Sequence, residues 1–201
     1  MTRFKLFKFY PALCAGILVL ALLSPSAYAE ATHLVTTDGG FKTTHGLTYT
    51  ITSDELVAKG PKHRTDRFGG TPYEISLGAL FSDDGAVMIH AERVADQSGA
   101  SNYENLARSD WPDDSFRHSG AICIDVTESE TEGEHDLEWL RDNGFEPTGS
   151  MVFVQYYATT RDFNDEIVVT LLARVASCEP GADPTPKLAP LKESVVIKRA
   201  D

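Results

Sequence analysis

The chain has 201 residues, with 30 Asp and Glu against 18 Lys and Arg, a formal net charge of -12. An acidic surface repels phosphate backbones and anionic lipid heads and attracts basic partners, which excludes nucleic acid and argues against a membrane-surface role. Aromatic content of 9% and hydrophobic content of 42% are those of an ordinary folded chain, not a disordered one.

The first 29 residues read as a secretory signal. Arg3, Lys5 and Lys8 precede the apolar run ALCAGILVLALL, and the small-residue pattern Ala27-Tyr28-Ala29 follows, so the cut is expected after Ala29. The apolar run is shorter than the roughly 18 to 20 residues that cross a bilayer, so no membrane insertion is expected after cleavage. Cys14 leaves with the signal. Loss of Arg3, Lys5 and Lys8, with no acid, moves the charge from -12 to -15 for residues 30–201, and the location is expected to be periplasmic or secreted.

Residues 30–45 are polar and glycine-bearing and read as a flexible arm. LTYTI from Leu47 alternates as a strand, and KGPKHRTDRFGG, with Lys59, Lys62, Arg64 and Arg67, reads as a solvated basic loop. Tyr73, Ile75, Leu77, Ala79 and Phe81 alternate, a turn spans 82–85, and Val87, Ile89 and Ala91 alternate again, which predicts a β-hairpin. Ser101 with Glu104 three positions later predicts a short capped helix ending before Pro112. AICIDV predicts a third strand, and HDLEWLRDNG a helix ended by Asn143-Gly144. MVFVQYYATT and EIVVTLLARVAS predict a second long hairpin of central strands, apolar on both faces. Four prolines from Cys178 to Pro190 mark a linker to a terminal segment, so the expected division is 1–29 signal, 30–45 arm, 46–178 a single domain, and 179–201 linker and C-terminal segment.

These elements predict an α+β domain, with a mostly antiparallel sheet of about five or six strands and two or three short helices on one face. A β-sandwich is the alternative. Two cysteines survive signal cleavage, and in an oxidising compartment Cys123 and Cys178 are expected to pair, which constrains the unfolded chain by about 4 kcal/mol. Parity places both thiols on the less apolar side of their strands.

No constellation of catalytic residues is legible. His90 has no serine partner and reads as a partly buried sheet histidine. His135 stands alone without ligand spacing, and Gly133 does not complete a calcium loop, so no metal and no cofactor are expected. Glu128, Glu130, Glu132 and Glu134 share the parity of Ile124 and Val126. A continuing strand would bury them at several kcal/mol each, so the strand must end near Val126 or Thr127. From Asp110 to Glu146 twelve acids face two arginines, interleaved with aromatics. The residues expected to bind are Glu128, Glu130, Glu132, Glu134, Asp136 and Trp139, docking a basic exported protein in an inhibitor or immunity-type role. The alternative is an exported hydrolase or small-ligand binder with a pocket between sheet and helices.

Overall fold

The alternating runs pair as hairpins in the computed structural model, which describes residues 32–200. The expected signal lies outside the described residues. Strands β1 (Leu34–Thr37), β2 (Gly40–Thr43) and β3 (Tyr49–Thr52) join the late strand β12 (Val196–Arg199) in a four-stranded sheet ordered β1-β2-β3-β12. The larger sheet has eight strands. It runs from β4 (Val57–Phe68) through β5 (Thr71–Phe81), β6 (Gly85–Val94), β11 (Asp165–Arg174) and β10 (Gly149–Thr159) to β8 (Arg117–His118) and β7 (Ala107–Arg108). Strand β9 (Ile122–Val126) also pairs with β10, beside β8, and every pairing in both sheets is antiparallel.

Side-chain parity divides the large sheet into two working faces. Leu80, Val87, Ile89, Val154, Ile167, Val169 and Leu171 meet Leu34, Phe41, Tyr49 and Ile51 of the small sheet in one core. The sheets approach closely at Gly78, where an added Cβ would lie 2.8 Å from the Phe41 ring. The opposite face carries Leu77, Ala79, Phe81, Met88, Met151 and Leu172, covered at one end by Trp139, Leu140 and Phe145. Helices α1 (Glu128–Thr131) and α2 (His135–Asp142) lie on this second face. Helix α3 (Ala189–Ser194) and the 3₁₀ turn at Thr185–Leu188 that enters it instead insert Leu191 and Leu188 into the inter-sheet core.

Both hairpins, the strand end at Val126 and the helix stop at Gly144 (φ +93°) match the sequence reading. The protein is a mostly antiparallel β structure with few short helices. The single sheet of five or six strands is corrected to two sheets, and the helices are divided between both faces of the larger one.

Four local expectations fail. Residues 34–43 are strands rather than a loose arm, because Leu34 and Phe41 are fully buried. The basic loop is strand β4, whose ladder with β5 shifts register between Lys59 and Lys62. The helix expected after Ser101 does not form: Ser101 is buried, Tyr103 stacks on Tyr157 with ring centroids 4.2 Å apart, and only β7 follows. The proline-bearing segment returns to the body, ending as β12 on β3.

Cys123 and Cys178 form the expected disulfide, with Cα atoms 5.5 Å apart. The side assigned to the thiols is corrected: Cys123 packs against the inter-sheet core, while Ile122 and Ile124 are 39% and 40% exposed. On the opposite parity of β9, Val126 is covered by Trp139 and Leu140, while Ile122 and Ile124 stay open.

Candidate functional site

That uncovered part of the sheet is a cleft of about 480 Å³. Its floor follows from register. Met88 on β6 pairs with Thr170 on β11, and Thr170 with Gln155 on β10; the next row runs Leu172, Phe153 and Ile122. Met151 and Ile124, also paired, extend the floor towards Val126. Glu130, Glu134, Asp136 and Leu137 from the α1–α2 segment, with Pro147, form the wall. The volume and largely apolar lining are those of a small-molecule site.

His90 lines the cleft beside Met88 and begins a run of buried charge. Its Nδ1 lies 2.9 Å from Glu92 Oε1, and its Nε2 lies 3.5 Å from Asp136 Oδ2 without a hydrogen-bond partner among the described residues. Arg64 Nη1 donates to Asp136 Oδ1 at 2.7 Å. Burial disfavours a charged imidazole, but the Asp136 carboxylate and the Glu92 contact outweigh it and raise the His90 pKa. Burial likewise opposes ionised Asp136, yet His90 and Arg64 hold its pKa below the usual carboxylate value. Arg64 and His90 thus converge on Asp136 from two strands. The group fastens the first turn of α2 to β4 and β6.

Glu92 also borders Glu166, its register partner on β11. Glu166 is 2% exposed, and its pKa is pushed up to about 8 by burial and by the Glu92 charge, against the Tyr103 and Ser101 hydroxyls that lower it. Tyr103 and Tyr157 roof this pair of acids.

The sequence-predicted residues separate. Glu130 and Glu134 stand on the wall of the cleft and Asp136 joins the buried charge run, whereas Glu128 and Glu132 do not line it. Trp139 is corrected: it is 6% exposed and packs on Phe81 at 6.1 Å, so it is a core residue and not a surface anchor. Sequence reasoning placed His90 as a partly buried sheet histidine and Arg64 in a basic loop without joining them, and did not single out Glu92 or Glu166. The available signal was His90-x-Glu92 in a strand, since positions i and i+2 share a face. Arg64 was hidden by its assignment to a loop. Among the described residues no group of three or more His, Cys, Asp or Glu is placed to hold a metal ion. No helix there is long and apolar enough to cross a membrane, and the half-buried disulfide is compatible with a secreted or periplasmic protein.

Comparison with protein-family models, curated proteins and solved structures found no significant match.

Proposed function

We propose that the protein is an exported binder of a small, largely apolar molecule, held in the cleft between the large sheet and the α1–α2 wall. The observation that carries this reading is the cleft itself: an apolar floor on the sheet face, left open by the helices and bordered by buried His90, whose Nε2 has no hydrogen-bond partner among the described residues. Contiguous exposed apolar surface on a soluble chain marks a place where something binds. Export, with cleavage after Ala29, belongs to the same proposal and is supported by the disulfide. Docking of a basic protein loses its anchor with the burial of Trp139 and keeps only the acidic charge of α1, which gives weak and general attraction.

Base catalysis is the poorer account of His90. A histidine oriented by a carboxylate suits proton abstraction, but this imidazole is flanked by Glu92 on one nitrogen and Asp136 on the other, which leaves neither nitrogen free to face a substrate. Through Asp136 it positions the wall.

The test is titration of the mature protein with the neutral fluorophore N-phenyl-1-naphthylamine. Saturable enhancement at a 1:1 ratio is expected, and Ile124→Asp, which sets a charge in the floor at a position tolerant of polar groups, should weaken it at least about tenfold. Absence of saturable binding, or equal binding by the folded Ile124→Asp variant, overturns the reading.

A further inference from the structure

The charges around the cleft are not symmetric. Its titratable lining consists of His90, Glu130, Glu134 and Asp136. Asp136 is committed to Arg64 and His90, and Glu92 to His90, so the inner carboxylates already have partners. Glu130 and Glu134, both exposed, belong to no ion pair among the described residues. Glu130 accepts hydrogen bonds from the Thr127 N–H and hydroxyl, each at 2.8 Å, which lower its pKa and keep it ionised. The positive end of α2 is already complemented by Asp136 and Glu138 in its first turn. What faces a ligand at the wall is therefore two uncompensated negative charges beside an apolar floor.

We infer that the ligand of the cleft is a cationic amphiphile, with its apolar body on Ile124 and Phe153 beside the edge of Leu172, and a positively charged amine or quaternary ammonium group at the wall beside Glu130 and Glu134. This rests on the cleft being a small-molecule site and adds the class of molecule that enters it. Charge complementarity selects the cation: an anionic head of the same size would meet like charges on the wall, and a neutral head would leave them unmatched. Exposed Ile122 continues the apolar row past Phe153, so the body has somewhere to extend.

The experiment is displacement of bound N-phenyl-1-naphthylamine by dodecyltrimethylammonium, dodecyl sulfate and dodecyl maltoside, each below its micellar concentration. The ammonium is expected to displace the probe at a concentration at least about tenfold lower than the sulfate, with the neutral glycoside between them, and salt should narrow the gap. Glu130→Gln combined with Glu134→Gln should reduce that ratio several-fold. Glutamine preserves the capping contact at position 130, so α1 keeps its end. Glu128→Gln with Glu132→Gln makes the same change in net charge away from the cleft lining and should alter the ratio far less. Equal displacement by the three amphiphiles, preference for the sulfate, or equal effects of the two double variants would overturn the inference. A neutral probe that binds while the head groups are not distinguished would refute the cation and leave the cleft. Failure of the neutral probe itself would refute both.

Discussion

Titration of Glu166 is tied directly to folding. Its carboxyl lies 2% exposed beside Glu92, and two carboxylates in a dry setting cannot both ionise without large repulsion, so the pair holds a proton that Glu166 keeps to about pH 8. The unfolded chain releases that proton near the ordinary value of 4.5. A raised folded pKa stabilises below the unfolded pKa and loses its contribution as pH rises through the folded one, so stability from this group falls between about pH 4.5 and 8. His33 and His45 act the other way: burial lowers both pKa values, so their contribution is present above pH 6.5 and declines as pH falls below it. Comparing variants separates the two. Between pH 5 and 8.5, wild type should lose about 2 to 4 kcal/mol more than Glu166→Gln, since each pKa unit corresponds to about 1.4 kcal/mol. Urea denaturation at both pH values measures the difference, and equal losses would show that the fold does not hold the proton. The Arg64, Asp136 and His90 group has its own signs. The His90 contribution fades as pH rises through its raised pKa, and that of Asp136 fades as pH falls below 3.8.

Helix α2 shows how far elements were readable. Its apolar positions 137, 139 and 140, and its stop at Asn143-Gly144, placed it correctly because a short amphipathic helix is largely specified by local pattern. What the pattern left open was which way Trp139 points, since that depends on Phe81 and Phe145 from distant parts of the chain. Trp139→Ala should therefore act on stability, at about 3 to 5 kcal/mol, and not through a lost partner contact. A loss under about 1 kcal/mol by chemical denaturation would mean that α2 is not held by this ring. Capping signals were equally local and equally ambiguous. Ser101 with Glu104 and Thr127 with Glu130 have the same spacing, yet only the second pair opens a helix, where the Thr127 N–H bonds Glu130. At the first pair Asn102 Oδ1 takes the Glu104 N–H in a turn of its own, and the stack of Tyr103 on Tyr157 draws the chain onto the sheet. Strand β4 was illegible for a different reason. As an edge strand it buries little, and Gly60, Pro61 and four basic residues give it the composition of a loop.

The whole molecule assigns different duties to the two faces of the large sheet. One face meets the small sheet, α3 and the half-buried disulfide; the other carries the cleft, its charged wall and the buried acids. Cys123 projects to the first face and ties β9 to the segment after β11 that leads, through the 3₁₀ turn, into α3 and β12. The bridge closes a separation of 55 residues, so its loss frees the unfolded chain and should lower stability by about 2 to 5 kcal/mol. Because Ile124 lies on the opposite side of β9 from Cys123, removal of the bridge should leave the cleft floor intact in molecules that remain folded. Replacing both cysteines by serine should thus shift the urea midpoint downward while the folded protein binds N-phenyl-1-naphthylamine within about twofold of wild type. Ile124→Asp should show the reverse, weakened binding at a stability within about 1 kcal/mol of wild type, as the side chain is 40% exposed. If the cysteine variant lost stability and binding together under conditions where it stays folded, the two faces would be coupled through β9, and the separation of duties would be wrong.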